Sequence, residues 1–464
     1  MLEGASVAGE VFSTTVSTVA TDLDQDACED LCAQLVRRQQ IVHAAGTQLF
    51  PDGSVSPCYA FMHALYREVF YGRLAPGRRA RLHRRIGVRL EALYAEQSSS
   101  VASELAHHFE AGADWPRAVK HLRLVADTAG RRYAHQEAVA ILQHALALVS
   151  HLPEAERGVA ETEILEKLAA MYLVSFDRRT LETYEALAAR AAHYGLLAVE
   201  VRALIDMAYP LSWISAERSL EVLERALRLS AAQGDPLLRA RTRASCFFWR
   251  IEAGGWNPRH AEECQKALAE IRRAGDRRVL ALHLIDYSFI QRTSSAYRDA
   301  HRSAVESLVI LFEGGEENPY LSLAYHRHQF IVPRSLLFLG EWGEALHEID
   351  AGLTMAEKNG DSYRMQRFRL YRAWGHFHCG KNAHRLPRPH FPCRSIMHVV
   401  RKSREIREMR RIIPTRDQLV GGSGPVIAVV DHRDLTRRGA LHIFGKLQLA
   451  VIDQLEPRTK VSVY

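Results

Sequence analysis

The sequence predicts a mainly α-helical chain, with a small helix-and-hairpin block in front, a stack of helical hairpins behind it, and a poorly ordered basic tail. Three observations predict this. First, glycine closes long amphipathic runs at Gly195, Gly234, Gly275, Gly314 and Gly360, with gaps of 39, 41, 39 and 46 residues. Glycine tolerates the left-handed backbone that ends a helix, so an interval near 40 reads as one helical hairpin repeated. Second, two short extended segments flank a Pro51-Asp52-Gly53-Ser54 turn near the front, the pattern of a β-hairpin. Third, the charge is uneven. Residues 381–464 hold 17 Lys and Arg against 7 Asp and Glu, whereas the preceding 380 hold 44 against 47. The formal +7 therefore belongs to the tail, and the overall basicity does not by itself imply a nucleic-acid partner.

The front block, residues 1–97, carries helical stretches at 2–8, 12–20 and 24–40. Residues 40–44 and Ser56–Phe61 then form the two arms of the hairpin, and amphipathic helices follow at 62–73 and 77–97. Three helices and a hairpin make a winged-helix arrangement, which often binds DNA through its third helix. Here that helix opens with Asp24, Asp26, Glu29 and Asp30, which would repel phosphates. DNA binding through this domain is therefore disfavoured. The acids suit a helix N-terminus, and Arg37 and Arg38 suit its C-terminus.

Residues 98–380 form the repeat domain. Helix pairs are expected at 100–111 with 115–130, 160–175 with 179–194, 197–214 with 216–233, 237–253 with 258–274, 278–295 with 298–313, and 319–339 with 343–358. A further helix is expected at 134–149. Pro153, Pro236, Pro258 and Pro319 fall in turns or near helix starts, while Pro210 and Pro333 fall inside helices and should bend them. A hairpin of this kind cannot bury its apolar face alone and so must stack. The turn Gly340-Glu341-Trp342-Gly343-Glu344-Ala345 resembles that of a tetratricopeptide repeat, in which Gly340 would let two helices approach, Trp342 would wedge between them and Ala345 would sit at the close contact. Trp115 with Ala118, and Ala138 with Leu142 and Ala145, repeat the theme.

Phe61-Met62-His63-Ala64-Leu65-Tyr66-Arg67-Glu68-Val69-Phe70 resembles the Met-His-Asp segment that closes the winged-helix domain of the signal-transduction ATPases with numerous domains, the STAND class. Leu74 to Gly87 resembles the helix after it, and Ser103 to Glu110, leading to Trp115, resembles the entry to the repeats. The pattern is similar to that of bacterial predicted ATPases and MalT-like (LuxR-type) transcriptional regulators, and the likeness covers roughly residues 1–378. By this resemblance His63 would sense the β-phosphate of ADP, and the concave face of the repeats would bind a protein or small-molecule inducer. An imidazole N–H donating to phosphate is reasonable chemistry. Ala64 stands where the stricter motif has aspartate.

The class binds ATP through a Gly-x-x-x-x-Gly-Lys-Ser/Thr loop, and no such loop occurs in these 464 residues. Gly445-Lys446 is followed by Leu447, Gly380-Lys381 by Asn382, and Gly421-Gly422-Ser423-Gly424 has no lysine. The resemblance thus implies the C-terminal part of a larger regulator. It would lack enzymatic activity and a cofactor of its own, with ATP or ADP reaching it through a nucleotide-binding domain upstream or in trans. The rival expectation is a stand-alone tetratricopeptide-type adaptor that holds peptides in its groove.

Residues 381–464 depart from the repeat pattern and read as frameshifted or fused sequence. A short helix is plausible at 396–411, and strands at Val426–Val430 and Leu447–Ile452. His376, His378, Cys379, His384, His390 and Cys393 match no closed zinc spacing, so no metal is expected. Arg401, Lys402, Arg404, Arg407, Arg410 and Arg411 alternate with Glu405 and Glu408, the pattern of a solvated helix. His43, His107 and His108 lack nucleophile or acid partners at a recognisable spacing. Seven scattered cysteines suit a reducing compartment. With no secretory signal and no run of 18 apolar residues, the expectation is a cytoplasmic protein.

Overall fold

The computed structural model describes residues 1–378, apart from 22, 133, 175–176, 213, 314–330 and 359–361. It divides into two compact units, residues 1–175 and the chain from 176 onward. The fold is mainly α-helical with successive helices stacked, and the tail at 379–464 lies outside the described residues. Gly314, Gly360 and expected helical residues 319–330 also lie outside them.

The first unit opens with α1 (Leu2–Ala8), β1 (Val11–Ser13), α2 (Thr14–Ser17) and a 3-10 turn (Thr18–Ala20), followed by α3 (Gln25–Arg37), β2 (Val42–Leu49) and β3 (Val55–Phe61). The single helix expected at 12–20 is therefore replaced by a strand, a short helix and a turn. The run is rich in Val and Thr, whose branched Cβ atoms favour extended backbone, and the Ser13 hydroxyl starts the helix by accepting the Val16 N–H at 3.3 Å. The three strands form an antiparallel sheet in the order β1-β3-β2. Phe50, at the turn of the hairpin, is buried edge-on against Tyr94, with ring centroids 5.9 Å apart. Asp24 caps α3 by accepting the Ala27 N–H at 2.7 Å, and the acids of its first turns are exposed or half-buried.

Helices α4 (Ala64–Arg73), α5 (Pro76–Tyr94), α6 (Ala102–Ala111), α7 (Trp115–Arg131), α8 (His135–Leu148) and α9 (Glu154–Val174) complete this unit. The expected boundary at 97/98 falls in a 3-10 stretch, Ala95–Val101, and the apolar core is continuous across it from Val7 and Val16 through Ile86 and Phe109 to Tyr172. Phe109 meets the His121 ring, stacked at 5.5 Å, and the Arg117 guanidinium at 5.4 Å. Glu91 of α5 gathers Arg117, Lys120 and His121 of α7 at 3.3, 2.8 and 3.1 Å.

The second unit runs through α10 (Arg179–His193), α11 (Leu197–Ser212), α12 (Ala216–Gln233), α13 (Pro236–Gly254), α14 (Pro258–Ala274), α15 (Arg277–Thr293), α16 (Tyr297–Glu313), α17 (331–339), α18 (Trp342–Lys358) and α19 (Ser362–His378). The last was not among the expected pairs. Nor do α9 and α10 form a pair within one unit, because they fall on opposite sides of the division. The Gly234 and Gly275 turns work as the interval implies: each glycine is left-handed (φ 78° and 80°), and the following Asp235 or Asp276 caps the next helix. Alternate helices α11, α13 and α15 also touch one another directly, which makes them the inner row of this stack.

A repeated contact holds the pairs together. The Ser219 hydroxyl of α12 donates to the Ala208 carbonyl of α11 (2.9 Å), and Ser307 of α16 to Ala281 of α15 (2.6 Å). The Cys264 thiol of α14 approaches the Ala244 carbonyl of α13 at 3.6 Å. Small side chains at these crossings let the backbones approach.

Gly340 has a different role from the one expected of it. No facing helix crowds it, and its backbone is left-handed at φ 83°, so it is required as a helix stop. The glycine that allows close approach is Gly352 of α18, where an added Cβ would lie 2.3 Å from the buried Phe368 ring of α19. Gly352→Ala should lower the stability of this unit by about 1–3 kcal/mol through overpacking, measurable by urea unfolding.

Between α4, α5 and α6 lies a buried polar chain. The Tyr71 hydroxyl meets His83 Nε2 at 2.9 Å, and His83 Nδ1 meets His108 Nδ1 at 3.0 Å. Both imidazoles are fully or nearly fully buried. Burial first, then neighbouring histidines and Arg67, lower His83 to about 4 and His108 to about 3. Above pH 6.5 both rings are neutral whether the chain is folded or not. Below it the unfolded chain takes up protons that the folded one refuses until pH falls to about 4 and 3. Stability should thus fall as pH drops from 6.5 toward 4, by about 1.4 kcal/mol per pH unit for each ring. Denaturant unfolding at several pH values reads the slope, and His108→Asn should remove roughly half of this contribution.

Candidate functional site: the two faces of the His63 helix

The residue expected to carry function, His63, stands at the join of β3 and α4. The sheet ends when the Met62 N–H donates to the Ile41 carbonyl at 2.8 Å. His63 is extended (φ −147°, ψ 138°) and caps α4, its Nδ1 accepting the Leu65 N–H at 3.2 Å. A ring nitrogen that accepts an N–H carries no proton, so the neutral ring holds its proton on Nε2. His63 is exposed, and Nε2 has no hydrogen-bond partner among the described residues. The cap thereby presents an N–H donor outward. Such a donor suits phosphate or another oxyanion.

Helix α4 has two unlike faces. Arg67, Phe70 and Tyr71 hold it down: Arg67 Nε donates to the Ser6 carbonyl at 3.0 Å, Phe70 lies 6.4 Å from the Phe61 ring, and Tyr71 reaches His83. Arg79 sits over the Tyr71 ring at 4.2 Å. The other face carries Leu65, Tyr66 and Val69, at 59, 45 and 52% exposure, and Met62, just before the helix, is 53% exposed. No residue of α4 is buried. Three large apolar groups at helical spacing on one exposed face, with Met62 exposed just ahead of them, are of the kind that marks an interaction surface. Ala64 begins the helix and offers no polar group beside His63.

The other residues singled out lie in the repeats. Ala118, Ala138, Leu142 and Ala145 are buried in the core of the first unit and Ala345 in that of the second. Trp115 is half-buried and stacks on His151 with ring centroids 4.6 Å apart. Trp342 is half-buried against the core of the second unit. These are packing positions, and none lies on α4. Sequence reading missed the His83–His108 contact, because two histidines 25 residues apart carry no periodic signal; only the helix crossing brings them together.

Among the described residues no group of three or more His, Cys, Asp or Glu could hold a metal ion. Cys379, His384, His390 and Cys393 lie outside those residues. Cys28, Cys32, Cys58, Cys246 and Cys264 are free, buried thiols. No helix among the described residues is long and apolar enough to cross a membrane.

No family model matches the chain, and no curated protein matches it. Solved structures do. BtubC from P. vanneervenii is similar at 17% identity and a TM-score of 0.34, over 49% of this chain and 92% of that one. A signal transduction ATPase with numerous domains carrying a tetratricopeptide repeat sensor, from Pyrococcus horikoshii, is similar at 12% identity and 0.35, over 82% of this chain and 60% of that one. A Rap protein complexed with competence and sporulation factor is similar at 12% identity and 0.37, over 68% and 92%. The fold stated above rests on the packing of this chain itself rather than on these low scores.

Proposed function

We propose that this chain is the signalling part of a STAND-type regulator, in which a winged-helix domain couples a helical-repeat sensor to a nucleotide-binding domain. The order α1-β1-α2-α3-β2-β3 supports the winged-helix part of this reading, and the α4 motif follows it directly. The observation that carries the reading is α4 itself: an unpartnered apolar face beside a histidine whose cap leaves Nε2–H free. That is what a domain needs in order to grip a neighbour and touch its bound ADP. The repeats would bind a protein or small-molecule inducer in the cytoplasm and bias a two-state release. DNA is disfavoured as the ligand of this winged helix, since the exposed acids at the start of α3 oppose phosphate. The reading assigns no catalytic residue, metal or cofactor to this chain; nucleotide would act through the partner domain.

The test uses the full chain and an ADP-loaded nucleotide-binding domain of the resembled class, with release of fluorescent ADP as the readout. His63→Asn keeps a helix cap but moves the donor away from the phosphate. It should speed ADP release about tenfold, the worth of one hydrogen bond to a charged group. Leu65→Asp with Val69→Asp should abolish the complex while leaving the unfolding midpoint near wild type, because both side chains are exposed. Unchanged release with His63→Asn, or binding that survives the double variant, would overturn the reading in favour of a stand-alone adaptor.

A further inference from the structure

The face of α7 that meets α9 does not close on it. The two helices touch directly. Yet a hollow of about 340 Å³ remains between Pro116, Val119, Lys120 and Arg123 on one wall and Ala155, Glu156, Val159, Ala160 and Glu163 on the other. Positions three, four and seven residues on from Pro116, and the same from Glu156, share one helix face. The cause of the hollow is local: the α9 wall offers alanine at 155 and 160, whose methyl groups do not reach across to α7. Buried Val119 and Leu152 form the floor. The volume falls at the lower end of the range for small-ligand cavities, about 300–1,000 Å³.

The walls carry opposite charge: Lys120 and Arg123 stand on α7, Glu156 and Glu163 on α9. Arg123 and Glu163 pair across the hollow, so their charges are settled and mark one end of it. Lys120 gives one ammonium hydrogen to Glu91 at 2.8 Å, which leaves two of its three donors. The exposed Glu156 carboxylate makes no hydrogen bond or ion pair among the described residues. Only α8 separates α7 from α9, and both connections are short, so α7 and α9 run the same way. The Arg123–Glu163 pair then sets their level. Glu156 lies seven residues back from it, opposite Pro116, and Lys120 lies three residues back. At about 1.5 Å per residue the two remaining charges stand about 6 Å apart along the hollow. An extended peptide spans at most about 3.3–3.6 Å per residue, so two residues match that separation and a single amino acid is too short.

We infer that the hollow between α7 and α9 binds a short zwitterionic peptide of about two residues, with its ammonium at Glu156, its carboxylate at Lys120 and an apolar side chain on Val119, Leu152 and Val159. A charge-assisted hydrogen bond at each end fixes the direction of the peptide, and the floor selects an apolar residue. The inference rests on the reading of the repeats as a sensor, and it names the class of ligand that sensor takes.

Isothermal titration calorimetry of the full chain with leucyl-alanine at neutral pH tests it. Saturable binding is expected, weakened about tenfold by N-acetylation of the peptide and about tenfold by C-terminal amidation, each the loss of one hydrogen bond to a charged group. Glu156→Gln should weaken the free dipeptide about tenfold, yet bind the N-acetylated form as wild type does. Lys120→Gln should behave likewise toward the C-terminal amide. Both side chains are exposed, so the thermal unfolding midpoint should stay near wild type. Ala155→Trp, also at an exposed position, fills the hollow and should abolish binding. No binding of leucyl-alanine, an affinity indifferent to both caps, or binding that survives Ala155→Trp would overturn the site. None of these results bears on α4, whose readout is ADP release.

Discussion

The structure depends on one constraint: each helix pair has an apolar face that only its neighbour can cover. In the second unit this is met at small side chains, where Ser219, Cys264 and Ser307 lie against the carbonyls of Ala208, Ala244 and Ala281. A larger residue at such a crossing would push the helices apart, and a residue without a donor would leave the contact to packing alone. Each of three successive pairs makes one such contact, at a different height along its helices: near the start of α12, near the middle of α14 and past the middle of α16. Rigidity of this kind lets a site far along the stack hold its geometry without a network of its own.

The same logic explains why α4 stands out. Elsewhere a helix buries one face and solvates the other, with charged side chains outward. Helix α4 is pinned through Arg67, Phe70 and Tyr71, yet turns Leu65, Tyr66 and Val69 outward. Its pinned side connects through Tyr71 to the His83–His108 pair, so the outward face stands on a foundation of satisfied polar contacts. His63 is held by the same helix start. Capping therefore does two things at once: it begins the helix, and it decides which ring nitrogen is left to donate.

Much of the fold was legible because its signals are local. Glycine followed by aspartate marked the turns at Gly234 and Gly275, where one residue must end a helix and the next must cap another. The hairpin was legible from Asp52-Gly53. Legibility failed where tertiary context overrode local pattern. Val11–Ser13 pairs with β3 across nearly fifty residues, and nothing in the run itself announces that partner. Gly340 and Gly352 look alike in sequence, yet one is required for its backbone angle and the other for the ring it faces. The position of His63 was readable as a motif, whereas the use of its Nδ1 in a cap, which frees Nε2, depends on the extended backbone where β3 passes into α4.

The buried arginines belong to the least legible class, and a comparison with their paired counterparts explains why. Arg225, Arg241 and Arg243 find carboxylates on adjacent helices, so their charge is settled within the frame. Arg292 of α15 and Arg334 of α17 make no such ion pair among the described residues, and each keeps a buried Nε without a hydrogen-bond partner. A core built purely for stability would replace such a group by apolar residues of similar volume, because an unpaired guanidinium loses its hydration and gains nothing in return.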